Sequence, residues 1–253
     1  MDIVPLPAFR DNYIWLLRRG GEAAVVDPGD AKPVLDYLKR ENLALRAILL
    51  THHHADHTGG VEELKAHAAP PVFGPADDGI AGITVPLREP ALIRVPGIDL
   101  ELAVLDVPGH TRGHIAYYGA NLLLCGDTLF GCGCGRLFEG SAEQMWRSLS
   151  KLAALPGATR VYCAHEYTEA NLDFAFAVEP DNPELAARER RVNALRAQHR
   201  PSVPSTLDEE RATNPFLRSA APAVAAAASR YRGHALTDPI GVFAAIREWK
   251  NRF

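Results

Sequence analysis

Ten residues, Thr51-His52-His53-His54-Ala55-Asp56-His57-Thr58-Gly59-Gly60, constrain this chain more than any other stretch. They contain the pattern His-x-His-x-Asp-His, four potential metal ligands, directly after the aliphatic run Ala47-Ile48-Leu49-Leu50. A run that short and that apolar reads as a buried strand ending at the rim of a sheet. Gly59 and Gly60 predict a sharp turn, after which Val61-Glu62-Glu63-Leu64 opens a helix. Strand, ligand-bearing turn and helix make a rigid mount for one or two divalent ions. Imidazoles with a carboxylate suit zinc, iron or manganese. His53 falls outside the pattern and is expected to pack or to support a ligand.

The 253 residues allow one large domain, or a large and a small one. A hydrophobic share of 47% and a charged share of 23% fit a globular chain with a substantial core. A net charge of -4 argues against a general nucleic-acid binder, which carries a basic excess. The start Met1-Asp2-Ile3-Val4-Pro5 lacks a cationic region followed by an apolar one, and no run of about 18 apolar residues occurs. The expectation is a soluble, cytoplasmic monomer with no nucleic-acid or membrane partner. Cys125, Cys132, Cys134 and Cys163 show no zinc-ribbon or secreted-type spacing and are expected to be reduced thiols without a catalytic part.

Along the chain, Asn12–Leu17 and Glu22–Asp27 read as two strands joined at Gly20-Gly21. Asp30 caps a helix bearing Val34, Leu35 and Leu38. Residues 70–75 predict a short strand between breakers, and Ile98, Leu100, Leu102 and Val104 alternate with Asp99, Glu101 and Ala103, the period of a half-covered strand. That strand runs into Pro108-Gly109-His110-Thr111. His114–Tyr118 and Asn121–Cys125 form the next pair, the second delivering Gly126-Asp127-Thr128. Ser141 and Gln144 make a capping box before Met145, Leu149 and Leu152. Arg160–Ala164 is a strand ending in His165-Glu166-Tyr167. Four strand ends therefore carry His or Asp, and a layered fold can bring such ends to one rim. From about residue 172 strand signals cease. Asn182-Pro183 and Asp238-Pro239 start helices, and Ala220–Ser229 is helix-prone. The last helix places Arg247 and Lys250 at i, i+3.

Seven ligand candidates result: His52, His54, Asp56, His57, His110, Asp127 and His165. One catalytic ion rarely needs more than three or four protein groups, so seven point to two ions. The order of these residues resembles that of the metallo-β-lactamase superfamily. Within it, the chain resembles glyoxalase II, the hydroxyacylglutathione hydrolases. Gly133-Cys134-Gly135-Arg136 with Glu139-Gly140, Asn214-Pro215-Phe216-Leu217-Arg218 and the closing Arg247-Glu248-Trp249-Lys250 carry that narrower resemblance.

The resemblance implies an α+β fold, a four-layer αβ/βα sandwich, with a metal-binding catalytic domain over 1–171 and a helical, glutathione-binding domain over 172–253. It puts His52, His54 and His110 on one ion, and Asp56, His57 and His165 on the other, with Asp127 bridging; zinc is the expected metal, iron or manganese the alternatives. Asp56 and Asp127 are the carboxylates it makes catalytic. A hydroxide shared by the ions would attack the thioester of S-D-lactoylglutathione, releasing glutathione and D-lactate, the second step of methylglyoxal detoxification. Arg136, Phe138, Tyr167, Arg247 and Lys250 are the implied substrate contacts. Phe138 stands where the family commonly has Tyr, and Ala164 where Gly is common.

Three other readings compete. A glutathione persulfide dioxygenase would use a single iron and leave Asp56, His57 and His165 without metal. A lactonase or nuclease would keep the fold, but a nuclease needs a basic channel that the net charge disfavours. A non-catalytic metal-binding or scaffold protein would not need every ligand position filled.

Overall fold

The computed structural model describes residues 1–253. The first half of the chain runs β1 (Asp2–Ala8), β2 (Asn12–Arg19), β3 (Glu22–Val26), α1 (Ala31–Glu41), β4 (Ala44–Leu49), α2 (Ala55–Thr58), α3 (Val61–Ala68), β5 (Val72–Pro75) and β6 (Val85–Leu87). These six strands form one sheet in sequence order, antiparallel through β3 and parallel from β3 to β6. The second half begins β7 (Leu92–Val95), β8 (Leu100–Asp106), β9 (Ile115–Gly119), β10 (Leu122–Gly126), β11 (Leu129–Phe130), β12 (Gly133–Cys134), α4 (Ala142–Ala153) and β13 (Arg160–Cys163). It ends α5 (Thr168–Val178), α6 (Pro183–Arg196), β14 (Ser205–Thr206), α7 (Leu207–Thr213), α8 (Pro222–Arg232) and α9 (Pro239–Arg252). The second sheet has the order β14-β13-β10-β9-β8-β7, and β11 pairs only with β12 in a small hairpin.

Alternation along single strands builds the layers. In β2, Tyr13, Trp15 and Leu17 enter the main core between the sheets, while Ile14 and Leu16 face α1 and α3 on the outer side. β4 divides the same way, Ala47 and Leu49 inward, Ile48 and Leu50 outward against Val34, Leu38 and Leu64. Both faces are covered, which is why these strands read as unbroken apolar runs. On the second sheet, Met145, Leu149 and Leu152 of α4 join the same core as Phe174, Phe216 and Phe243 of the tail. The result is helix, sheet, sheet, helix, the sandwich expected from the sequence.

The caps stand where the sequence puts them. Asp30 accepts from Lys32 N, Ser141 and Gln144 close a full capping box, and Asn182 and Asp238 cap α6 and α9; Thr206, not foreseen, caps α7.

One expectation is corrected. Strand does not end at residue 172, because Ser205–Thr206 adds an antiparallel edge to β13; two residues are too few for a periodicity to register. Gly59 and Gly60 make the expected turn between α2 and α3 with ordinary backbone, φ being -59° at Gly59 and -85° at Gly60. They serve through space: a Cβ would fall 2.6 Å from Gly29 O at the first, and 2.5 Å from Ala31 N at the second. The turn is thereby pressed against the β3–α1 connection. β1, β6, β7, β11 and β12 are further strands without a sequence signal of their own. α5 runs through position 171/172 as a continuous helix.

Candidate metal centre

β4, β8, β10 and β13 end on one side of the sandwich, and the seven ligand candidates lie on the segments that leave them. His52 Nε2 and His110 Nε2 stand 3.1 and 3.0 Å from His54 Nδ1. His57 Nε2 stands 3.5 Å from Asp56 Oδ2 and 3.5 Å from Asp127 Oδ1. His165 Nε2 is 3.6 Å from Asp56 Oδ2 and 3.4 Å from Asp127 Oδ1. The other Asp127 oxygen, Oδ2, lies 3.4 Å from His110 Nε2. Asp127 thus turns one oxygen toward each trio, His52/His54/His110 and Asp56/His57/His165.

The fit to metal can be tested on these distances. Donors held at 2.0–2.1 Å around a tetrahedral ion stand roughly 3.3–3.4 Å from one another. The spacings around Asp127 match that, and those among the three imidazoles fall slightly below it. His57 Nε2 and Asp127 Oδ1 are buried and make no hydrogen bond, a costly state unless a cation satisfies them. The donor set is one that binds a divalent ion.

Outer partners fix which ring nitrogen is free. Asp27, in the tight connection after β3, accepts from Thr51 N (2.8 Å) and Thr51 Oγ1 (2.7 Å). The Thr51 hydroxyl has spent its proton, so at 3.0 Å from His52 Nδ1 it accepts, leaving His52 Nε2 as a lone pair. His110 Nδ1 donates to the Arg136 carbonyl at 2.9 Å, and His165 Nδ1 to Asp11 at 2.8 Å, with the same result. Asp27 Oδ2 also lies 3.2 Å from His57 Nδ1, and Asn12 Nδ2 donates to Asp56 Oδ2 at 3.0 Å. His52, His110, His165 and Asp56 are therefore each held by a second residue, as metal ligands commonly are.

Charge is arranged to suit. Burial, followed by the neighbouring imidazoles, lowers the pKa of His52 and His114 well below the usual value, and burial lowers His110 and His54 as well. Neutral imidazole is the form that ligates. Burial opposes charge on Asp127, yet His57, His165 and His110 hold its carboxyl far below the ordinary range. The neighbouring His57 does the same for Asp56. Burial also opposes charge on His57, but Asp127, Asp27 and Asp56 together keep its pKa well above normal.

The trios open onto a cavity of about 620 Å³. Arg136, Phe138, Tyr167, Arg247 and Lys250, the five implied substrate contacts, all line it, with His54, Asp56, His110, Asp127 and His165 at its floor. Tyr167 stacks on His165 at 4.7 Å between ring centres. Phe138 is 62% exposed and sets its ring edge-on to His54 and His110, 5.5 and 5.2 Å away. Arg247 is not on a solvated face: it is buried and donates to Cys134 O at 2.8 Å. Lys250 donates to Ala170 O at 2.8 Å and has no acidic partner; burial, then Arg247, lower its pKa to about 8.

Several lining or supporting residues are not among the site candidates read from the sequence. Phe130, Cys134 and Asn171 also line the cavity, and Asn171 Nδ2 donates to Gly131 O at 3.0 Å. Asp11, Asn12, Asp27 and His114 support the floor; His114 stacks on His52 at 4.7 Å and accepts from Asp127 N at 3.2 Å. A lone Asp before a strand or His at its start looks like any polar boundary residue. Only Asp27, buried at the end of an apolar strand, departs from the pattern enough to be singled out. The four cysteines are free and buried, and burial raises the thiols of Cys132 and Cys163 to about 12.

The comparisons agree with this geometry. The family model for the metallo-β-lactamase superfamily matches residues 8–165, and the one for the hydroxyacylglutathione hydrolase C-terminus matches 166–253. The hydroxyacylglutathione hydrolase of Nitrosomonas europaea is 56% identical, the alignment covering 100% of this chain and 97% of that protein. That of Alkalilimnicola ehrlichii is 59% identical, over 99% of each. Among solved structures, ETHE1 from Myxococcus xanthus superposes with a TM-score of 0.70 at 24% identity, covering 98% of this chain and 90% of that one, a likeness of fold. TTHA1623, crystallised in a di-iron-bound form, matches at 31% identity and a TM-score of 0.54, over 65% of this chain and 92% of that one. Two consecutive domain matches, full-length identity above one half and a His/Asp cluster able to bind divalent metal lead to one assignment: the chain belongs to the hydroxyacylglutathione hydrolase family of the metallo-β-lactamase superfamily.

Proposed function

We infer that this chain hydrolyses the thioester of S-(2-hydroxyacyl)glutathione, S-D-lactoylglutathione in particular, to glutathione and a 2-hydroxy acid. The observation that carries this is the Asp127 carboxylate, facing His57 and His165 with one oxygen and His110 with the other, at the floor of a cavity rimmed by cations. We read His52, His54 and His110 as ligands of one divalent ion, Asp56, His57 and His165 as ligands of a second, and Asp127 as shared. Zinc fits this set, as do iron and manganese. Such ions supply Lewis acidity at the thioester carbonyl and a water made acidic enough to attack it near neutral pH.

The chain's own residues do the rest. Asp27, Asp11 and the Arg136 carbonyl hold the ligand rings in the tautomer that leaves the inward nitrogen free. Asp56, anchored by Asn12, keeps its carboxylate toward His57 and His165. Phe138 and Tyr167 flank the reacting carbonyl with apolar surface, which strengthens electrostatics there by excluding water. Lys250, lacking an acidic partner, and Arg136 attract the carboxylates of glutathione. Arg247 is committed to the Cys134 carbonyl and acts on substrate through the β11–β12 hairpin that it braces. A thiolate departs without a strong general acid, and no residue at the floor is arranged as one. In this reading residues 1–171 carry the metal centre and 172–253 the substrate-binding helices. No helix is long and apolar enough to cross a membrane.

The test is to follow loss of the thioester chromophore with S-D-lactoylglutathione, using protein of measured metal content. Turnover that scales with metal up to about two ions per chain is expected. Full turnover at one ion per chain would sink the two-ion reading, and no turnover at two would sink the substrate assignment.

A further inference from the structure

One buried carboxylate outside the seven ties the two histidine segments together. Asp78, in the turn between β5 and β6, has a side chain only 2% exposed. Its Oδ2 accepts from His53 N at 2.8 Å, His53 Nδ1 at 2.9 Å and Thr111 Oγ1 at 3.1 Å. Its Oδ1 accepts from Gly113 N at 2.9 Å. His53 sits between His52 and His54, and Thr111 follows His110. Glu139 reinforces the same joint, accepting from Arg112 N at 2.9 Å and standing 3.3 Å from His53 Nε2.

β4 and β8 belong to different sheets, so no ladder fixes one end against the other. Besides the hydrogen bond from Ile115 N to Thr51 O and the Glu139 bridge, Asp78 is the buried carboxylate that joins these two segments. The approach is close by design of sequence: a Cβ on Gly113 would lie 2.7 Å from the Asp77 carbonyl carbon and 2.8 Å from Asp78 N. Four donors engage this carboxylate, three on Oδ2 and one on Oδ1, and an ionised carboxylate has only acceptors to offer them. Asp78 is therefore committed to this joint, and an amide in its place must turn an NH₂ toward N–H or O–H groups. His53, left without a role by the motif, acquires one as the link between this carboxylate and two ligands.

We propose that Asp78 is a positioning residue that sets the spacing of His52 and His54 against His110, and through it the affinity of that three-imidazole site for a divalent ion. This rests on the two-ion reading above. The experiment is titration of metal-free protein with zinc against a chromophoric chelator, alongside thermal unfolding of the metal-free forms. Wild type, Asp78→Asn, Thr111→Val and His110→Ala are compared, the last marking which binding step belongs to the three-imidazole site. Asp78→Asn is expected to weaken that step by about 10–100-fold and leave the other within about threefold, as loss of an outer partner does elsewhere. Thr111→Val, which removes one of the four donors, is expected to weaken the same step by less.

A lower unfolding temperature with both steps unchanged would mark Asp78 as merely structural and overturn the proposal, as would weakening of the other step. Should Asp78→Asn not fold, Thr111→Val decides, and unchanged zinc affinity there overturns it. Wild type binding fewer than two ions would instead overturn the two-ion reading, whatever the variants do.

Discussion

Glu210 offers the sharpest prediction about what holds the cavity wall. It lies on α7, wholly buried, and pairs with the equally buried Arg188 of α6. Arg188 also donates to Thr213 Oγ1 at 2.6 Å. The second Glu210 oxygen accepts from Cys132 N at 3.0 Å and Asn214 Nδ2 at 3.1 Å. Asn214 Nδ2 reaches Gly133 O at 2.9 Å and Phe130 O at 3.1 Å. One ion pair thus fastens the β11–β12 hairpin, whose Phe130 and Cys134 line the cavity. Glu210→Ala would strand a buried guanidinium and orphan the Cys132 amide. Breaking such a pair costs about 3–5 kcal/mol. Glu209, 3.9 Å from Arg188 Nε, keeps some countercharge nearby, which favours the low end.

Taking about 3 kcal/mol and roughly 2–4 °C per kcal/mol at this chain length, the unfolding midpoint should fall by about 6–12 °C. The companion Arg188→Met/Glu210→Leu removes both charges and should recover most of that loss, because an apolar pair needs no desolvation of ions. Urea or thermal unfolding by circular dichroism reads both, and the steady-state KM reads the hairpin, expected to rise in Glu210→Ala. A Glu210→Ala loss below about 1 kcal/mol, or a double variant no more stable than the single, would refute the reasoning.

Asp127→Ala should lose affinity for both ions and abolish turnover; elemental analysis finding one ion still bound tightly would contradict its shared position. Lys250→Ala should raise KM more than it lowers kcat, since the residue binds a part of the substrate remote from the thioester. With burial and Arg247 lowering the Lys250 pKa to about 8, KM should climb as pH passes that value, and Lys250→Arg should abolish the climb. The sign for stability is opposite: the folded state binds fewer protons than the unfolded between that pKa and the ordinary lysine value, so Lys250 favours folding more as pH rises through this window. Asp11→Ala, which removes the acceptor that orients His165, should cost about 10–100-fold in affinity at the Asp56/His57/His165 site, a loss that zinc titration would miss only if the tautomer did not matter. The four buried thiols, raised by burial, should resist alkylation in the native protein and react only on unfolding; rapid labelling by mass spectrometry would refute this.

Much of the fold is written locally. The caps Asp30, Ser141, Asn182 and Asp238 satisfy the first amides of their own helices, and the alternation in β2 and β4 assigns each residue a face, both within reach of a few neighbours in the chain. The four ligand-bearing strand ends were legible for the same reason. Short strands such as β11, β12 and β14 were not, because two residues have no period and exist only through their partners.

What the chain could not state by itself is anything carried by pairs distant in sequence. Arg247 illustrates this, for its spacing to Lys250 suits a solvated helix face, yet packing buries it against Cys134, 113 positions away. The tautomers of His52, His110 and His165 depend on Thr51 with Asp27, on the Arg136 carbonyl and on Asp11. Asp78 and Glu210 look like ordinary surface acids in the sequence and are made decisive by burial alone. Residue order fixes which side chains can ligate and on which strand ends they sit; the tertiary structure decides which nitrogen faces inward and how far apart the two histidine segments stand, because hydrogen bonds and burial are properties of neighbours in space.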